Sequence, residues 1–372
     1  MDRAGTYEKG RRTATVPALE RGPLALSPDF AARAGRHEAW WARASVEGLP
    51  LLLGYANRDP ARPITRRMEW REDPARWLEA KLRDVAQLAP ASDALPFIRV
   101  DLGPCCLPML MGLDREYGSD TAWSHAFIRD DWSNAPAWTL DRQSAGWKTF
   151  DTLLRAAAGA ARGRAVLATP NLGGPCDILS NLRGATELCL DTVDQPERIA
   201  AATAAMIPAL AEAGAFMRDT AFQSGAELVH WHMLGSDQPY VIAECDLLFS
   251  VGPDIAEQVC LPDIERQSRM APRCIFHLDG AGSTRHLEAL LDIPAIRAVQ
   301  YTPGAGTPSA LAWLDMFRRI QSQGRSLLVY APIEEVPALA RALRPEGLAI
   351  QIDGARDPAQ LEAVCRAVRG KD

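Results

Sequence analysis

His277 and Asp279 are the two residues whose types and spacing speak most directly of chemistry. They end the run Arg273-Cys274-Ile275-Phe276-His277-Leu278-Asp279, after which Gly280-Ala281-Gly282 turns the chain. Side chains alternate along a strand, so both point the same way. An imidazole held there can bind a metal or move a proton while the carboxylate orients it. A core histidine hydrogen-bonded to a nearby carboxylate has the same spacing. The catalytic reading gains weight because similar strand ends recur: Asp101 and Gly103; Pro170, Asn171 and Gly173; His230 and His232; Glu244 and Asp246; Gln300 and Tyr301; Tyr330; Gln351 and Asp353. From these, His277, Asp279, Asp101 and Tyr301 are the candidate catalytic residues. Asn171, Asp246, Gln300, Tyr330 and Trp123 are candidates for holding a substrate, and His277, Asp279 and His232 for holding a metal.

These residues share one site only if the elements carrying them are arranged to bring them together. β-like runs over 96–101, 165–169, 227–232, 241–246, 273–279, 298–301, 326–330 and 348–353 alternate with helical patterns over 149–162, 196–222, 254–270, 283–291, 311–323, 334–343 and 358–368. Eight strands, seven of them spaced by helical patterns, predict an α/β chain folded as a single (β/α)8 TIM barrel, whose chemistry gathers at the carboxyl ends of the strands. An open doubly wound sheet is the alternative. Residues 1–27, basic and polar, are expected to be a flexible segment, and 28–372 the barrel domain. Within it, 28–95 reads as an N-terminal helical extension, with helices over 31–44 and 74–88 and a strand near 49–59. The pair Trp40-Trp41 is expected to pack the first of these helices onto the barrel. The stretch 102–148 reads as an insertion of loop and short helices folded over the mouth as a lid, carrying Cys105, Cys106, Trp123, His125, Asp130, Asp131 and Trp132.

Composition narrows the function classes. An apolar fraction of 47% and a charged fraction of 24% describe a globular chain with a large core. A net charge of −6 leaves no footprint for nucleic acid or an anionic membrane. No uninterrupted apolar run approaches the roughly 18 residues of a membrane span, and the first residues lack the apolar core of a signal peptide, so a cytoplasmic location is expected. The eight cysteines include no Cys-x-x-Cys and several sit in apolar runs, which points to reduced core residues. Gly304-Ala305-Gly306 is as well explained by a tight turn as by phosphate binding.

Two segments resemble the uroporphyrinogen decarboxylase superfamily. One is Gly173-Gly174-Pro175-Cys176-Asp177, leading to Leu182-Arg183-Gly184, Glu187-Leu188-Cys189-Leu190-Asp191 and Asp194-Gln195-Pro196-Glu197. The other is Cys245-Asp246-Leu247-Leu248-Phe249-Ser250-Val251-Gly252-Pro253, with the His-x-Asp-Gly strand following at a similar distance. The resemblance covers roughly 97–360 and implies the same barrel, with porphyrinogen decarboxylation or corrinoid-linked methyl transfer as its chemistries. In the thiol-directed methyltransferases that it resembles, the strand reads His-x-Cys-Gly and a second cysteine near the last strand completes a zinc site. This chain has His277 but Asp279 in the cysteine's place, and Gln351 and Asp353 at the last strand. That set is harder and suits oxygen and nitrogen ligands. The mouth is mostly acidic or neutral, which argues against a polyanionic porphyrinogen.

The leading expectation is a methyltransferase acting on a small molecule, with zinc as a contingent metal and a corrinoid reached through a partner protein. A cofactor-independent decarboxylase or lyase, in which His277 and Asp279 act as acid and base, is the alternative. A non-catalytic barrel that binds a ligand or a corrinoid protein is another. A homodimer is compatible with all three.

Overall fold

The computed structural model describes residues 23–55, 69–71, 73–85, 92–118, 121–304, 306–307 and 309–370. The expected flexible segment therefore lies almost wholly outside the described residues, as does the 56–59 end of the first expected strand. The strands are β1 (Leu51–Gly54), β2 (Phe97–Arg99), β3 (Arg115–Tyr117), β4 (Ala122–Ser124), β5 (Val166–Ala168), β6 (Leu228–Val229), β7 (Tyr240–Glu244), β8 (Arg273–Asp279), β9 (Ala298–Thr302), β10 (Ser326–Pro332) and β11 (Leu348–Asp353). Six form one parallel sheet in the order β1-β11-β10-β9-β8-β7, and three a second parallel sheet, β2-β5-β6. β3 and β4 are an antiparallel hairpin.

The helices are α1 (Phe30–Trp41), α2 (Pro74–Val85), α3 (Leu107–Leu110), α4 (Ala145–Ala161), α5 (Pro175–Arg183), α6 (Ala185–Asp194), α7 (Pro196–Ser224), α8 (Pro253–Ile255), α9 (Leu261–Ser268), α10 (Gly280–Ser283), α11 (Leu287–Leu291), α12 (Leu314–Ser322), α13 (Val336–Ala342) and α14 (Pro358–Val368). Their spacing explains them. In α4 the buried residues Trp147, Phe150, Leu154, Ala157 and Ala161 recur every three or four positions. Its start is fixed by Ser144, whose hydroxyl accepts from the Trp147 N–H at 3.0 Å. The 29-residue α7 is long and apolar enough to cross a membrane by composition, yet it packs along α4, α5 and α9. The helix expected over 254–270 is broken by a π turn at Ala256–Cys260. Pro262 explains the break, since it lacks an N–H and crowds the carbonyl one turn earlier.

Strand alternation splits the core in two. Leu52, Ile98, Leu167, Cys274, Phe276, Leu278, Val299, Tyr301, Val329 and Ile350 join the large cluster under the helices. The opposite face of the sheets carries Leu51, Leu53, Tyr240, Ile275, Ala298, Leu328 and Ala349, packed with Trp40 and Trp41 of α1. The paired tryptophans are thus packing residues. Their indole N–H groups donate to the carbonyls of Leu327 at 3.1 Å and Gly235 at 2.9 Å. They fill the amino-terminal end of the inner face and leave its carboxyl-terminal end for polar groups.

Two expectations on organisation change. The strand expected near 49–59 is β1, which joins the main sheet beside β11, so the described residues hold nine parallel strands where the barrel reading counted eight. Strand and helix do not alternate throughout: residues 230–239 link β6 to β7 as a loop with no helix. The insertion over 102–148 does hold loop and a short helix, together with the unforeseen β3–β4 hairpin. It is pinned down, because the buried Trp132 donates its indole N–H to Asp191 at 2.9 Å.

Candidate active site

Asp246, His277 and Asp279 present one ligand atom each, all within 4.8 Å of one another. The sheet register builds this group: Glu244 pairs with His277, and His277 with Gln300, across three adjacent strands. The Gln300 carbonyl oxygen lies against Nδ1 of His277, and its amide NH2 donates to the Thr302 hydroxyl at 2.8 Å. With its NH2 so engaged, Gln300 offers His277 an acceptor, so Nδ1 carries the proton and the Nε2 lone pair is left for the site. The tautomer is therefore set by Gln300, not by Asp279.

Gly173 and Gly174 bring the start of α5 against the end of β7. A Cβ on Gly174 would lie 2.1 Å from the Glu244 carbonyl oxygen, so only glycine fits. Asp177, in the first turn of α5, accepts from the Asp246 N–H at 2.6 Å. Burial pushes its carboxyl well above the usual range, with Asp246 and Glu244 adding to the effect. Glu244 is buried too, and burial first, then Asp246, raises it to about 8. Its Oε2 accepts from the Asn171 side chain at 3.1 Å. Burial also raises Asp246, while the nearby His277 opposes the shift. Such crowded carboxylates are eased by a proton or a cation.

His232 is fully buried, with Nδ1 2.9 Å from the Tyr330 hydroxyl and its ring centroid 5.5 Å from that of His277. Burial, and then the proximity of His277, holds it neutral by moving its pKa well below the ordinary value. Its Nε2 has no hydrogen-bond partner among the described residues. Trp231 stands edge-on to His277 with centroids 5.2 Å apart. His230 faces the Thr169 hydroxyl at 3.2 Å, and burial lowers it to about 4. The strand expected over 227–232 ends at Val229, and His232 enters from a turn.

The other candidates divide. Asp101 is buried at the end of β2, accepts from the Gly103 N–H at 3.0 Å and lies 3.8 Å from the Arg99 guanidinium. Asn171 ties Glu244 to the insertion, since its side-chain oxygen accepts from the Cys105 N–H at 3.2 Å. Tyr301 is corrected: it faces the helix layer, stacked against Trp313 and Phe317 with centroids 5.3 and 5.9 Å away. The cause is alternation, which turns Gln300 inward and its neighbour outward. Trp123 lies 40% exposed on the β3–β4 hairpin. His232 lies beside the three-residue group and not among its ligand atoms. Glu244 and Trp231 were missed as site residues. Glu244 shares the strand face of Asp246, a signal present in the sequence, whereas Trp231 sits in a turn that carried none.

The Leu182-Arg183-Gly184 segment has a structural role. Arg183 and Asp191 form a buried ion pair at 2.7 Å that also receives the Trp132 indole. No family profile and no curated protein matches the chain. A solved structure does: a methyltransferase from Methanosarcina mazei superposes with a TM-score of 0.57 at 12% identity, over 91% of this chain and 97% of that one. At that identity the likeness is one of fold, and it runs nearly end to end in both chains.

Proposed function

We propose that this chain is a methyltransferase acting on a small substrate bound at the carboxyl ends of its parallel strands, with a divalent metal held by Asp246, His277 and Asp279. We take the two sheets as arcs of one (β/α)8-type barrel, a reading supported by the end-to-end likeness to the Methanosarcina mazei methyltransferase. The observation that carries the site is the convergence of His277 with the Asp246 and Asp279 carboxylates, with Gln300 lying against Nδ1 of the imidazole.

The donor set fits a divalent cation with oxygen and nitrogen ligands. Cys245 lies next to Asp246 in sequence but belongs to the core under the helices, so it is not a ligand here. A bound cation would supply Lewis acidity toward an acceptor atom or a leaving oxygen or nitrogen. The chain's own residues do the rest. Gln300 holds the imidazole, Asp177 and Gly174 hold the end of β7, and His232 with Tyr330 offers a hydrogen-bonding pair for the substrate. The corrinoid link, through a partner protein that carries the methyl group, rests on the family resemblance.

Metal analysis of the purified chain tests the reading. About one divalent ion per chain, lost in His277→Ala, is expected. A metal-free chain that turns over a carboxylic substrate would favour the lyase alternative, in which His277 and Asp279 act as base and acid.

A further inference from the structure

A cavity of about 480 Å3 opens in the wall between β6 and β7, outside the three-residue group. Its origin is the helix that is not there. α7 precedes β6 and α9 follows β7, but the link from β6 to β7 is a loop, so among the described residues the connection supplies no helix to cover the groove between these two strands. The strands are not paired with each other either. Gln267 of α9 reaches across and takes the place of a strand partner at one position. Its side-chain oxygen accepts from the Glu244 N–H at 3.1 Å, and its NH2 donates to the Glu244 carbonyl at 3.1 Å. Below that point the groove stays open.

The lining is chiefly apolar, with Leu172, Leu210, Met217, Trp231, Val241 and Met270. Charged side chains also line it: Arg218 and Glu227, together with Glu38 and Asp237, which Arg273 holds at 2.9 and 3.0 Å. At the inner end stand Thr169, His230 and Glu244. Trp231 is the shared wall: it lines the cavity and meets the His277 ring edge-on. Small-molecule pockets span about 300–1,000 Å3 and combine such apolar walls with a few convergent polar groups.

We propose that this cavity is a second ligand pocket, taking a largely apolar small molecule, and entered from the side between α7 and the 230–239 loop. A chain segment is a poorer occupant, because Gln267 already occupies the backbone groups of Glu244 that an added strand would use. The apolar preference follows from the lining: a ligand against the leucine, methionine and tryptophan walls gains most by taking apolar surface out of water.

The proposal stands apart from the metal reading, and its test keeps the two separate. The neutral fluorophore N-phenyl-1-naphthylamine is titrated into the full chain. Gly214 on α7 lines the cavity, and a Cβ there meets nothing nearer than an Arg218 nitrogen at 3.6 Å. Gly214→Phe therefore fills the space without disturbing the helix. Ala211→Trp, from an exposed position on the same wall, is the second filling variant. The expected result is saturable one-to-one binding to the wild type, weakened at least tenfold in both filling variants and unchanged in Asp279→Asn. If circular dichroism shows Gly214→Phe unfolded, Ala211→Trp decides. Absence of saturable binding to the wild type overturns the proposal. So does binding that survives in the folded filling variants, or that is lost in Asp279→Asn alone.

Discussion

Gln300 decides which nitrogen of His277 faces the site. Its carbonyl oxygen takes the Nδ1 side, and its NH2 cannot swing round because the Thr302 hydroxyl holds it at 2.8 Å. Replacing Gln300 by leucine keeps the volume and removes the acceptor. Outer partners of this kind are worth about 10–100-fold in metal affinity. Gln300→Leu is therefore expected to weaken metal binding by about that factor while leaving the far-ultraviolet circular dichroism unchanged; titration with a competing chelator measures it. Affinity equal to the wild type would mean that the imidazole is oriented by something else.

Gly174 is the second control point, since its backbone touches the Glu244 carbonyl where any side chain would collide. Gly174→Ala must push β7 and α5 apart, at a cost of about 1–3 kcal/mol. The melting temperature should fall, and metal stoichiometry should fall with it, because Asp246 is held by Asp177 across the same junction. A variant with reduced stability but full metal content would uncouple the two.

The buried Arg183–Asp191 pair carries stability and no chemistry. Asp191→Ala leaves a guanidinium and the Trp132 indole without their acceptor, a loss of about 3–5 kcal/mol. Replacing both charges with apolar residues, Arg183→Met with Asp191→Leu, should recover most of it. Urea unfolding of the single and double variants checks this, and equal loss in both would refute the account.

Acid should loosen the junction between α1 and the 230–239 loop. His37 is fully buried, with its Nδ1 accepting from the Gly235 N–H at 2.9 Å and its Nε2 2.9 Å from the Asp93 carbonyl. Burial lowers its pKa from 6.5 to about 4. Between those values the unfolded chain binds more protons than the folded one, so stability falls as pH drops from 6.5 toward 4. His37→Gln should flatten part of that slope, with His230, lowered to about 4 in the same way, accounting for a further share. Melting temperatures at pH 7 and pH 5 measure the change, and an unaltered slope would exclude His37 as a source.

The sequence made the strands from 273 to 353 legible, because apolar runs bounded by glycine and polar turns leave little freedom of assignment. His277 and Asp279 could be placed on one face by alternation alone. Three things could not be read. The strand near 49–59 was legible as a strand, but its place beside β11 in the main sheet was not. His230 to His232 read as more strand, because their bulky side chains hide a turn, marked by Met233 at φ +57°. Tyr301 looked like a strand-end donor, yet one residue of register separates the mouth from the helix layer.

The central claim is that Asp246, His277 and Asp279 hold one divalent ion. Elemental analysis of wild type beside His277→Ala and Asp279→Ala, purified identically and dialysed against excess of each candidate divalent metal, tests it most directly. The account predicts close to one ion per wild-type chain and a loss of most of it in each variant with the fold intact. A wild-type chain that stays metal-free under every ion, or variants that keep full occupancy, would contradict it.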